Sequence, residues 1–268
     1  MDIDLTVVIG LDAKTLGQWK LSLPTIAANR SELLAVPWTV FYDWSQISAD
    51  SVLQVAEANG LDKSPHMRFV PWPPDDCEQE WPSQRGKMLA GFVHIPAHHV
   101  GTEWWMKIDT DVVAMRIDKP WQNTDWFQHD VVLIASPWGY SKCKGDNRTA
   151  IEWAESLEEF GDACWTCTPR LGLTECVRGR DKIVKPRIWS PVSYYRTAWT
   201  KEVSVLCSRH YGPYGLPVPS QDTTHWVAAE RSGSRIVKVN QKKFGWSFCP
   251  STRLLATACQ LALQEHAI

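Results

Sequence analysis

The chain has 268 residues, with 28 lysines and arginines against 30 aspartates and glutamates, for a formal net charge of −2. That near balance, without a basic stripe, argues against a nucleic-acid partner, and no apolar run approaches the roughly 20 residues that cross a bilayer. The length suits one large α/β domain or two small ones and is enough to bury a core without covalent staples.

The opening residues Met1-Asp-Ile-Asp-Leu5 carry acids where an export signal carries basic residues, so the sequence reads as cytoplasmic. Thr6–Gly10 has the pattern of a first strand, followed by a loop at Leu11-Asp12-Ala13. A helix is expected from near Thr15, turning Leu16, Trp19, Leu23 and Ile26 inward, with a kink or early stop at Pro24. Trp38–Asp43 reads as a second strand that ends in an acid. A helix follows over Ser48–Asn59, with Ser48 as its cap and Gly60 as its stop. Met67–Pro71 is a third strand, and the acidic, proline-rich stretch to Trp81 is a solvated loop.

The next helix, about Ser83–Val93, carries Arg85 and Lys87 near its start. Cations there oppose the helix dipole, which leaves either a solvated basic face or contact with a phosphate or another acidic ligand. An apolar run, Glu103-Trp-Trp-Met-Lys-Ile-Asp-Thr-Asp-Val-Val-Ala-Met115, then ends a buried strand in Asp109 and Asp111. Whether the strand stays regular or becomes a loop, the two carboxylates lie within a few ångströms of each other. Like charges that close are costly to bury, and a divalent cation is the natural remedy. The plainer reading is a solvated strand end.

Val131–Ser136 is another apolar strand, and a helix is expected over Asn147–Phe160. Cys164 and Cys167 form a Cys-x-x-Cys pair, with Cys143 and Cys176 nearby. The pair could take two corners of a structural zinc site. The other half of a zinc motif is not at standard spacing, which favours reduced thiols. Arg187–Arg196 resembles a strand leading into a helix at Trp199–Cys207, and Tyr211–Pro219 is turn-rich. A short helix over Ser220–Glu230 places Asp222 in its first turn. A strand at Arg235–Asn240 and an amphipathic helix from Pro250 complete the order. Strands alternating with helices imply parallel pairing and ligands at the carboxyl edge of the sheet. Most of the sixteen tryptophans are expected in the core, with stacking on sugars or bases open to a few.

This order of parts resembles a GT-A-type glycosyltransferase. The matching features are the strand at Thr6–Gly10, the strand ending in Asp43, the Arg85/Lys87 helix, the strand ending in Asp109-Thr-Asp111, and a later helix opening with Gln221-Asp222. The resemblance spans roughly residues 5–248. It implies one Rossmann-like α/β domain over 1–268, a mostly parallel central sheet flanked by helices. Within it, about 1–115 would bind nucleotide, about 116–250 would face the acceptor, and about 251–268 would form a terminal helix. It further implies metal-dependent transfer of a sugar from a nucleotide-diphospho-sugar to a glycan, lipid-linked or protein acceptor.

By that resemblance, Asp109 contacts the ribose or a Mn2+ or Mg2+ ion, and Asp111 binds the ion. Gly10, Leu11, Asp12 and Asp43 line the nucleoside pocket, with Arg85 and Lys87 near the nucleotide. Asp222 sits where inverting members hold a general base, although an acid in a first helical turn also stabilises the dipole. One departure stands out: many members supply a third metal ligand, often histidine, near the domain's carboxyl end. Residues 240–248 contain no histidine, and His210 and His225 are the alternatives. Competing readings are a haloacid-dehalogenase-type phosphatase, with Asp109 as nucleophile, and a nucleotidyltransferase. A non-catalytic glycan- or partner-binding domain is the third. Gly10-Leu-Asp-Ala-Lys14 is a poor match to the Gly-rich loop of a nucleotidyltransferase.

Overall fold

Seven consecutive buried residues in β1 (Leu5–Leu11) place this strand in the interior of a sheet covered on both faces. The computed structural model describes residues 3–61, 66–81, 83–116, 131–135, 191–214, 225, 236–240, 245–249 and 251–266. After β1 come α1 (Ala13–Asn29), β2 (Trp38–Asp43), α2 (Ala49–Glu57), β3 (Met67–Trp72), α3 (Gln84–His99), β4 (Trp104–Ile108) and β5 (Val112–Ala114). The chain continues through β6 (Val131–Ala135), β7 (Val192–Arg196), α4 (Thr197–Tyr211), β8 (Ile236–Asn240), β9 (Trp246–Phe248) and α5 (Thr252–His266).

Among the described residues, seven strands form one sheet in the order β3-β2-β1-β4-β7-β6-β8, and β5 pairs with β9 in a separate two-stranded ribbon. The pairs among β3, β2, β1 and β4 are parallel, as is β6 with β8, whereas β7 runs antiparallel to both β4 and β6. The architecture is therefore the expected α/β one, a mostly parallel sheet flanked by helices.

The period of two sorts the core into two layers. Val7, Ile9, Trp38, Val40, Trp104 and Met106 face α1 and α2, where Leu16, Trp19, Leu23 and Ile26 meet them. Val8, Phe41, Trp105 and Tyr195 face α3 and α4, meeting Phe92, Val93, Trp199 and Val203. A third cluster joins Val113 and Cys249 to Leu255, Cys259 and Ala262 of α5. Among the described residues seven tryptophans, including Trp19, Trp38 and Trp105, are buried, while Trp44 is exposed.

Three helices outrun their expected ends, one of them α4, which runs past Cys207 to Tyr211. α1 continues past Pro24 to Asn29, since Leu23 and Ile26 on either side are completely buried and Lys20, whose carbonyl the proline cannot bond, faces solvent. α3 passes Val93 and Pro96 to reach His99, anchored by buried Ile95 and Ala97. α2 begins as expected, with Ser48 capping Ser51 N–H, and ends at Glu57, two residues short of Asn59, ahead of Gly60 in the left-handed region at φ 71°. The helices expected over 147–160 and 220–230 lie outside the described residues, His225 excepted.

Phe41 occupies a slot between β1 and α3 that exists because Gly10 and Gly91 lack side chains; a Cβ at either position would run into its ring. Alanine for glycine within a helix ordinarily gains about 0.5–1 kcal/mol. Here Gly91→Ala should instead cost about 1–3 kcal/mol through overpacking, read as a lower guanidinium midpoint. Adding Phe41→Leu should recover part of the loss.

Candidate active site

Because β1, β2 and β4 run parallel, their carboxyl ends share one edge of the sheet. At the end of β2, Asp43 is fully buried, with Lys87 Nζ 2.6 Å from Oδ2. Ser45 donates to Oδ1 through its N–H (3.1 Å) and its Oγ (2.6 Å). Gln46 (2.9 Å) and Gln84 (2.5 Å) donate their side-chain amides to Oδ2. Burial pushes this carboxyl's pKa up, but the bonds from Lys87, Ser45 and Gln84 outweigh it and hold the pKa below the ordinary carboxylate range. Asp43 is thus an ionised hub that fixes the start of α3 against the end of β2. Gln46 extends the hub, its Oε1 accepting from Ala13 N–H at 3.4 Å, to the loop after β1.

The remaining residues expected around a nucleoside divide by what they touch. Gly10 gives room to Phe41, and the Leu11 side chain lies in the core. Asp12 caps α1: its Oδ1 accepts from Thr15 N–H (2.7 Å), and Thr15 Oγ1 accepts from Asp12 N–H (2.6 Å). Arg85 is exposed in the first turn of α3. Lys87 alone among these cations reaches the hub.

β4 ends at Ile108, and Asp109-Thr110-Asp111 forms a turn before β5. Three elements pin it. Asp109 N–H donates to the Pro191 carbonyl (2.8 Å), and the Asp111 carbonyl accepts from Cys249 N–H (3.0 Å). Buried Thr110 donates through Oγ1 to Gln18 of α1 (2.9 Å). Beneath the turn, Lys107 is 2% exposed, its Nζ 2.9 Å from Asp109 Oδ1 and 5.4 Å from the centre of the Phe92 ring.

Burial and the neighbouring Asp109 charge push the Asp111 pKa up to about 7, against the opposing pull of Lys107 and Lys14. A carboxylate pair that resists carrying both negative charges, with oxygen-only donors, matches a hard divalent cation. Among the described residues no group of three His, Cys, Asp or Glu side chains is placed to hold a metal. Cys249 approaches through its backbone, while its thiol packs with Leu255 and Cys259.

His225 is buried beside Trp105, Tyr195 and Trp199, with ring centroids 6.0, 4.6 and 5.5 Å away. Burial, aided by the Lys107 charge, lowers its pKa to about 3, so the imidazole is neutral and packed among rings. His210 belongs to α4. Asp222, Cys143, Cys164, Cys167 and Cys176 lie outside the described residues.

Sequence reasoning overlooked Ser45, Gln46, Gln84 and the role of Lys107. Two signals could have found them. Gln84 and Lys87 stand three apart on one helix face, and Lys107 is the lone charge inside the apolar run 104–108.

No protein-family model matches the sequence, and no curated protein matches it. Solved structures do. Core-mannan synthase A from Aspergillus fumigatus, in its Mn/GDP form, superposes with a TM-score of 0.61 at 10% identity, covering 98% of this chain and 85% of that one. The fold is the GT-A fold. The mannosyltransferase Ktr4p from S. cerevisiae, in complex with GDP, gives a TM-score of 0.55 at 9% identity, over 100% of this chain and 82% of that one. A nucleoside-diphosphate-sugar pyrophosphorylase from Vibrio cholerae gives 0.51 at 9% identity, over 96% and 99%. The GT-A architecture thus places the Asp43 hub and the Asp109/Asp111 turn on the carboxyl edge of its sheet. Among the described residues no helix is long and apolar enough to cross a membrane.

Proposed function

We propose that this GT-A chain is a single-domain glycosyltransferase that moves a sugar from a nucleotide-diphospho-sugar to an acceptor with the help of a divalent cation, Mn2+ or Mg2+. The observation that carries the reading is the Asp109/Asp111 turn, two neighbouring carboxylates on the carboxyl edge of the sheet, one paired with Lys107 and the other with its pKa pushed up by burial and its neighbour's charge. The Mn/GDP and GDP forms of the similar folds are consistent with it. Asp109 and Asp111 would hold the cation. When bound, it supplies Lewis-acid neutralisation of the diphosphate leaving group.

The chain's own residues do the rest. The Asp43 hub holds α3 against β2, so that Gln84 and Lys87 stand at fixed positions beside the nucleoside end. Gln18 and the Pro191 carbonyl fix the turn that carries the acids. The loop after β1 is a helix cap built on Asp12 and Thr15, without a run of glycines, which favours sugar transfer over nucleotidyl transfer. Asp222 is our candidate for the base that takes the acceptor hydroxyl's proton.

Two measurements test the reading. Release of nucleoside diphosphate from a panel of nucleotide sugars should require added metal; no release from any donor would favour a binding domain without turnover. Asp222→Asn should lower transfer at least about 100-fold while nucleotide binding, followed by calorimetry, stays as in wild type. Undiminished transfer would remove Asp222 as the base.

A further inference from the structure

A lysine in the middle of an apolar strand needs a reason. Lys107 is 2% exposed, on a strand whose other residues are all buried and apolar, and its ammonium sits 2.9 Å from Asp109 Oδ1. Packing alone does not require a charge here, because methionine would fill the same space against Phe92. Nor does Lys107 serve as a ligand-facing cation, since it lies under the turn, out of solvent.

We propose that Lys107 is a built-in counter-cation that prevents the Asp109/Asp111 pair from holding a divalent ion alone, so that metal and nucleotide diphosphate must enter together. The inference rests on the reading of this pair as the metal anchor. Its physical basis is charge. Two carboxylates offer an incoming ion two negative charges, but a fixed ammonium at 2.9 Å offsets one of them, and burial leaves that ammonium poorly screened. The remaining attraction is too weak to strip a small divalent ion of its water. A nucleoside diphosphate brings the missing negative charge and further oxygens.

The test is Mn2+ binding to the full chain at pH 8, followed by the loss of the free-ion paramagnetic resonance signal, with and without GDP or UDP. Wild type should bind Mn2+ weakly alone and much more tightly with one of the nucleotides. Lys107→Met should bind Mn2+ alone at least about tenfold more tightly and lose most of the nucleotide's enhancement, whereas Lys107→Arg should behave as wild type. Lys107→Gln carries the same expectation as Met and replaces it if circular dichroism finds the Met variant unfolded. A purely structural lysine would give weaker metal binding, or none, on substitution. Unchanged or weaker Mn2+ binding by the neutral variants, with co-binding intact in wild type, overturns this inference alone. Absence of Mn2+ binding by wild type with either nucleotide overturns the functional reading and the inference together.

Discussion

Asp111→Asn should abolish the metal-dependent stabilisation of the protein by nucleotide. In wild type, nucleotide at about a hundred times its Kd with Mn2+ adds about 2.7 kcal/mol, a Tm rise of about 5–10 °C for a chain of this size. The variant should show no rise, and sugar transfer should fall at least about 100-fold. Without metal or nucleotide, the same substitution should leave Tm unchanged or higher, because it removes a half-buried charge held beside Asp109. These opposite effects separate a functional acid from a structural one. A variant that loses stability without metal and keeps its response to nucleotide would identify Asp111 as part of the fold and not of the site.

The largest loss of stability outside the apolar core is expected at Asp43. Asp43→Ala strands Lys87 and releases Gln46, Gln84 and Ser45 from a common acceptor. Removing one partner of a buried ion pair costs about 3–5 kcal/mol. Lys87 keeps some contact with water, so the low end applies, for a fall in Tm of about 6–12 °C by thermal denaturation. The pH dependence has a definite sign. The folded-state pKa of Asp43 lies below its unfolded value of 3.8, so its contribution is complete above that value and is lost as pH falls below it. In wild type, an acid titration of stability should therefore fall more steeply below pH 3.8 than in Asp43→Asn, which has no carboxylate to protonate.

Much of this arrangement was legible in the chain. The apolar runs in Val7-Val-Ile and Trp38-Thr-Val-Phe give strands because both faces of each must meet a helix layer, and both layers are present. The helical spacing of Leu16, Trp19, Leu23 and Ile26 selects the buried face of α1 without ambiguity. Helix ends were harder to read. Pro24 and Pro96 are strong local stop signals, but each is outweighed by apolar side chains that lose water only if the helix continues.

Parallel pairing was legible for β1 to β4, which alternate with helices, but the reversal of β7 was not. Residues 192–196 have the same pattern whichever way they run, and only the assembled sheet shows that β7 opposes β4. The polar partnerships were partly hidden for a similar reason. The acid at the end of β2 was visible, but Gln84 lies 41 positions away in the sequence, and no periodicity links the two.

The reversed strand has a consequence for how this molecule could diversify. Since β7 opposes both neighbours, it begins on the edge where β4 and β6 end. Val192 stands opposite Ile108 on one side and Ile134 on the other. Everything between Ala135 and Pro191 therefore departs from, and returns to, the rim beside the acidic pair, with both of its attachment points clamped by sheet hydrogen bonds. A stretch anchored in this way can be lengthened, shortened or exchanged while the strands beneath keep their register. A change of length or sequence between these two points is thereby decoupled from the strands β1 to β4.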